Sequence, residues 1–138
     1  MAEAKTFKLR ILACNKLFYE GDAIEVIFPT TDGEWAVMAN HAEMISTIEI
    51  GEMKVKLPDG SWMKAIVSDG FIDVHDNRVN IIVYSCEKPE EIDRFRAEAA
   101  MERAREQLSA KQSIREYHIS TASLARAMAR LKYSNKDI

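Results

Sequence analysis

The feature that most constrains this sequence is a change of character near residue 88. All five glycines (Gly21, Gly33, Gly51, Gly60 and Gly70) precede it, whereas the stretch from Pro89 onward has no glycine and nine alanines. Glycine frees the backbone for tight reversals and alanine favours helix, so two architectures follow one another, with predicted units 1–87 and 88–138. Charge divides at the same point. Residues 1–88 carry 9 basic and 14 acidic groups, a balance of −5, and residues 89–138 carry 10 and 8, a balance of +2. Seven of the nine arginines lie in the second part. An anion-handling surface therefore belongs there, although a surplus of two charges is too small to make a nucleic-acid surface.

The first unit reads as short strands. "KTFKLRILA" alternates Phe7, Leu9 and Ile11 with Lys8 and Arg10, and "DAIEVIF", "KVKL", "FIDVH" and "RVNIIVYS" behave similarly. The connectors "TDG" at 31–33, "PDG" at 58–60, "SDG" at 68–70 and "HDN" at 75–77 offer the positive-φ or Asx-turn chemistry of tight reversals. Eight or more strands in under ninety residues predict an antiparallel β-sandwich or flattened barrel. Cys14 and Cys86 lie far apart without a CxxC or a His-rich neighbourhood, and are expected to be buried, reduced thiols rather than a disulfide or zinc site. No apolar run approaches the roughly 20 residues of a membrane span, and Lys8 and Arg10 interrupt the N-terminal apolar positions, unlike a signal peptide. The expected location is the cytosol.

The second unit reads as two helices. Pro89 suits a first turn, Glu90, Glu91 and Asp93 complement its positive end, and the run continues through Leu108 to "SAKQS". Ala97, Ala100, Ala104 and Leu108 fall on one side. On the second helix Tyr117, Thr121, Leu124, Met128 and Leu131 recur at steps of four, three, four and three, which predicts the apolar stripe of a partner about fifteen residues long. Together these make a hairpin whose small alanines allow close approach.

Helical arithmetic sets Asp93, Arg96 and Arg103 on one strip beside the alanine face, and Arg126 and Arg130 one turn apart on the second helix. Two readings follow. Guanidiniums fork onto phosphate oxygens and a carboxylate can accept from an exocyclic amine, so the group suits a nucleotide. Alternatively these are solvated surface ion pairs, such as Asp93 with Arg96 or Glu102 with Arg105.

In the order and length of its parts the whole chain resembles the epsilon subunits of bacterial F-type ATP synthases. "IDRFRA" at 92–97 is similar to the I/L-D-x-x-R-A pattern of members that bind ATP, and "ARAMARL" at 125–131 is similar to their arginine-bearing second helix. The resemblance implies an all-β N-terminal sandwich followed by an α-helical hairpin, mixed β then α in two small domains. It further implies ATP contacts at Glu87, Ile92, Asp93, Arg96, Ala97, Arg103, Arg126 and Arg130. The implied role is a rotor-stalk subunit whose sandwich meets the gamma subunit and the c-ring, coupling proton translocation to ATP synthesis. Its hairpin would respond to ATP and, when extended, reach the alpha and beta catalytic subunits and inhibit hydrolysis. ATP would be a regulatory ligand with no obligatory cofactor or metal, and the chain a peripheral, non-inserting protein on the cytoplasmic side of the plasma membrane.

One stretch departs from the family: "GEWAVMANHAEM" at 33–44 has Trp35, Ala36 and Asn40 where small residues or proline are usual, leaving His41 as a hydrogen-bonded loop residue. No GxSxG, HExxH or Walker loop is present, so no catalysis is expected of the chain alone. Two alternatives stand beside this reading. One is the same subunit without ATP binding, its arginines meeting acidic surfaces of catalytic subunits. The other is a free-standing sandwich whose hairpin forms a coiled coil with an unrelated protein.

Overall fold

The computed structural model describes residues 4–109 and 114–134. It divides into two compact units, Met1–Glu87 and Lys88–Ile138. The first unit holds ten strands: β1 (Phe7–Ala13), β2 (Lys16–Ala23), β3 (Glu25–Thr30), β4 (Gly33–Met38), β5 (Met44–Ile48), β6 (Gly51–Lys56), β7 (Trp62–Val67), β8 (Gly70–His75), β9 (Arg78–Val83) and β10 (Cys86–Glu87). They form two five-stranded sheets in the orders β2-β1-β9-β8-β5 and β10-β7-β6-β3-β4.

Period-two alternation makes these strands. Phe7, Leu9 and Ile11 of β1, Val26 and Phe28 of β3, and Ile72 and Val74 of β8 are buried between the sheets. Lys8 and Arg10 face outward, and the β1–β2 register sets them opposite Asp22 and Glu20, with ion pairs of 2.7 and 3.4 Å. The "HDN" connector turns as its residue types predict: Asp76 and Asn77 take φ of 49° and 58° between His75 and Arg78, a two-residue reversal of the primed kind. The Asn77 side chain also accepts from Asn40 N–H at 2.7 Å and donates to the Thr6 carbonyl at 3.0 Å, fastening two distant segments. In "PDG" Ser61 donates its hydroxyl and its N–H to the Asp59 carboxylate, which holds that group below the usual range.

Three expectations for this unit are corrected. The sheets are not wholly antiparallel, because β1 pairs with β9 in parallel. Parallel neighbours need a long connection, and here all the chain from β2 to β8 supplies it. The "SDG" segment is not a tight reversal. Between Val67 and Gly70 the chain passes from one sheet to the other, bonded to its neighbour through Ser68 N–H to Ser85 O and Tyr84 N–H to Asp69 O. Cys86 is buried as expected, but Cys14 is exposed at the β1–β2 turn.

The second unit opens with a 3₁₀ turn, Pro89–Glu91, followed by α1 (Arg94–Ser109) and α2 (Ile114–Tyr133). Pro89 therefore starts the short turn rather than α1. Asp93 caps α1 instead, accepting from Arg96 N–H at 3.2 Å, so the acidic residues lie outside the helix's first turn. Ala97 and Ala104 are buried on α1, and Ser120 and Ala127 are buried on α2. The α2 stripe read from sequence is rotated. Leu124 and Leu131 border the seam, but Thr121 is exposed, as are Tyr117 at 51% and Met128 at 49%. Small side chains win the seam because they let two backbones come close, which pushes bulky neighbours aside. Ala104→Leu is accordingly expected to destabilise the hairpin by about 1–3 kcal/mol through overpacking. Its helical melt should fall while tryptophan fluorescence, which reports only the first unit, is unchanged.

Candidate functional site

Two cross-helix hydrogen bonds set the register of the hairpin. Ser120 Oγ donates to Gln107 Oε1 at 3.2 Å, and Arg94 Nη1 donates to Ser134 Oγ at 3.3 Å. The helices are thus antiparallel, with the start of α1 beside the end of α2. At this register Arg103 lies near the level of Arg126, and Arg96 near that of Arg130. With a 1.5 Å rise per residue the two arginines of each helix are about 10 Å apart along α1 and about 6 Å apart along α2.

Each of these four arginines immediately precedes a seam residue: Arg96 before Ala97, Arg103 before Ala104, Arg126 before Ala127 and Arg130 before Leu131. One residue back is a turn of about −100° on a right-handed helix. In an antiparallel pair that turn points to the same side from both helices. The hairpin therefore presents all four guanidiniums along one flank, in two levels.

Their surroundings differ. Arg126 and Arg130 are half-buried, and Arg126 Nη2 donates to Ser123 Oγ at 3.3 Å. Arg96 and Arg103 are exposed, and among the described residues no carboxylate lies within ion-pair distance of either. Neither Asp93 with Arg96 nor Glu102 with Arg105 forms an ion pair among the described residues; the i,i+4 pair on α1 joins Arg94 Nε to Glu98 Oε1 at 3.1 Å. Asp93 sits exposed at the helix N-terminus and meets Arg96 through the backbone rather than the guanidinium. Its place is that of a cap, one step outside the helical strip on which sequence arithmetic set it. Ile92 is half-buried and donates its N–H to Pro89 O at 3.3 Å, and Ala97 is buried in the seam. Glu87 belongs to the first unit, as the end of β10 opposite Ile66.

Chemically the flank offers forked, permanently charged donors at two levels, suited to an extended polyanion rather than a single oxyanion. Helical spacing in an antiparallel hairpin places Arg96, Arg103, Arg126 and Arg130 together, and the cross-helix contacts add their register. The available signal was the repeated Arg-Ala pair at 96–97, 103–104 and 126–127, which fixes three of the four arginines relative to a small seam residue.

His41 is engaged as expected, with Nδ1 at 2.7 Å from the Ala42 carbonyl. Among the described residues no group of three or more His, Cys, Asp or Glu side chains is arranged to hold a metal. No helix is long and apolar enough to cross a membrane among the described residues.

Comparison with known proteins gives concordant matches. Residues 6–89 match the family described as ATP synthase, Delta/Epsilon chain, beta-sandwich domain, and residues 90–135 match its long alpha-helix domain. The chain is 42% identical over 131 residues to the ATP synthase epsilon chain of Ruminiclostridium cellulolyticum, covering 95% of this chain and 97% of the relative. It is also 42% identical over 133 residues to that of Caldanaerobacter subterraneus subsp. tengcongensis, covering 96% of each. In fold it is similar to a chain of the Euglena gracilis mitochondrial ATP synthase, with a TM-score of 0.73 at 20% identity over 94% of this chain and 81% of the other. A chain from the central stalk and c-ring structure of the Tetrahymena thermophila enzyme matches at 0.64 and 12% identity, covering 97% and 100%.

Proposed function

The chain belongs to the family of ATP synthase delta and epsilon chains, and from that premise we propose that it is a non-catalytic central-stalk subunit whose hairpin senses ATP and restrains hydrolysis. The observation that carries the sensing role is the flank of four arginines in two levels, with Arg96 and Arg103 unpaired among the described residues. An ATP molecule bridging the levels joins α1 to α2 and favours the compact hairpin. Within the hairpin unit Asp93, Ile92 and Ala97 complete the contacts that the family pattern implies, with Asp93 acting near the base or orienting Arg96.

The switch follows from the weakness of the seam. Ala97, Ala104, Ser120 and Ala127 bury little apolar area, so compact and extended arrangements lie within a few kcal/mol and a ligand that prefers one shifts the population. In the extended arrangement the hairpin reaches the alpha and beta subunits and obstructs the hydrolytic direction of rotation. The sandwich provides the coupling contacts with gamma and the c-ring, a role supported by the fold's likeness to a chain from a central stalk and c-ring assembly. The protein is peripheral, on the cytoplasmic side of the membrane.

Removal of residues 89–138 from the assembled complex tests this. ATP synthesis should remain coupled, and ATP hydrolysis should rise several-fold under conditions where the intact subunit inhibits. Unchanged hydrolysis would reject the hairpin as the regulatory element.

A further inference from the structure

A second cluster of cations lies on the outer face of the β2-β1-β9-β8-β5 sheet, far in sequence from the hairpin arginines. The parallel register of β1 and β9 sets Lys8 beside Arg78, and Arg10 beside Asn80. Neighbouring strands are separated by about 4.8 Å, so Lys8 and Arg78 are like charges on adjacent strands and the same face, a juxtaposition that destabilises a sheet unless something compensates it.

Compensation is one-sided. Asp22 pairs with Lys8 and Glu20 with Arg10, but both carboxylates are on β2, across β1 from Arg78. Among the described residues Arg78 itself has no carboxylate within ion-pair distance. Beside these side chains is an open cavity of about 410 Å³, lined by Lys8, Arg10, Arg78, Asn80 and Glu20. A sheet that keeps Lys8 and Arg78 in register, with a carboxylate on Lys8 and none within ion-pair distance of Arg78 among the described residues, breaks a local rule of pairing, as functional positions do.

We propose that this hollow binds a phosphate group. The residue types favour a tetrahedral oxyanion over a single carboxylate. The Arg78 fork takes two oxygens, the Lys8 ammonium reaches a third as a point charge, and the Asn80 amide donates without adding charge. Asp22 pairs with Lys8 and Glu20 with Arg10, so the Glu20 carboxylate, which lines the hollow, is already engaged by a guanidinium. The occupant relieves the Lys8–Arg78 repulsion and so stabilises the sheet it binds. This site is independent of the hairpin flank, and both free phosphate and a lipid headgroup carry the chemistry it recognises.

The test is an amide-resolved NMR titration of the full chain with orthophosphate, at ionic strength held constant with chloride. Saturable shifts are expected at residues 8–10 and 78–80, separable from any shift on the hairpin. Arg78→Gln should weaken this binding about tenfold or more, the loss of one charge-assisted contact. In chloride alone the same variant should melt no lower than the wild type, because the like-charge pair is gone, and its melting temperature should no longer rise with phosphate. Parallel arms use vesicles of phosphatidylglycerol and of phosphatidylcholine. Phosphate saturation without vesicle binding assigns a free ligand, whereas preference for the anionic vesicles, lost in Arg78→Gln, assigns a headgroup. Linear, non-saturating shifts together with equal vesicle binding by wild type and Arg78→Gln would overturn the proposal.

Discussion

Replacing Gly70 with alanine is expected to remove at least about 3 kcal/mol of unfolding free energy from the sandwich, the upper range of overpacking effects. The reason is space rather than dihedral freedom. Gly70 pairs with Val83 on β9 and with Ile48 on β5, at the point where the chain leaves one sheet and enters the other. A Cβ there would lie 2.6 Å from the Val83 Cα and nearer still to the Ile82 carbonyl oxygen. Both obstacles are backbone, so no side-chain rotation relieves the clash, and β8 must separate from β9. Gly60 supplies the contrast. It has φ of 90° and open space out to 4 Å around the position a methyl group would take, so alanine meets only left-handed strain of about 1–2 kcal/mol. Denaturant unfolding followed by tryptophan fluorescence measures both, since Trp35 and Trp62 both lie in the first unit. A smaller loss for Gly70→Ala than for Gly60→Ala would contradict the close-approach account.

The second large effect is on the hairpin. The double variant Arg103→Ala, Arg126→Ala should lower ATP affinity at least about a hundredfold, because each replacement removes a charge-assisted contact worth about 1.5–3 kcal/mol. The two residues lie near one level of the flank and are proposed to meet one ligand, so any departure from the summed effect measures their coupling. Each single variant is expected to lose about tenfold to a hundredfold. Asp93→Asn should behave differently, weakening binding with an altered preference between ATP and GTP, since it removes an acceptor and a negative charge together. Calorimetric titration of the variants, with circular dichroism as a check that the helices persist, distinguishes these outcomes. Unchanged affinity in the double variant would assign the arginines to another partner, such as acidic surfaces of catalytic subunits.

How far the sequence disclosed the fold depended on how local each determinant is. Phe7, Leu9 and Ile11 alternate within one strand, and Asp76-Asn77 turn within two residues, so both were legible. The parallel pairing of β1 with β9 was not, because it joins segments some seventy residues apart and leaves no local period. "SDG" misled because glycine serves two purposes: at 33 and 60 it supplies positive φ, whereas at 70 it supplies absence of a side chain. On α2 hydrophobic size was the wrong guide. Tyr117 and Met128 are far bulkier than Ser120 and Ala127, but close backbone approach selects the small residues for the seam. Pro89 likewise signals the start of helical geometry without saying that a 3₁₀ turn ends before α1 begins. The convergence of the four arginines across an antiparallel hairpin was legible from helical spacing, while the register that sets their levels needed the cross-helix contacts of Ser120 with Gln107 and Arg94 with Ser134.

The proposed sensing of ATP by the hairpin is tested most directly by calorimetric titration of the intact, unmodified chain with ATP, paired with its thermal melt at the same nucleotide concentrations. The account predicts a saturable heat at one ATP per chain. It also predicts a hairpin melting temperature that rises with ATP, equivalent to about 2.7 kcal/mol of stabilisation at a hundred times the dissociation constant. No heat and no shift in melting at millimolar ATP would contradict it.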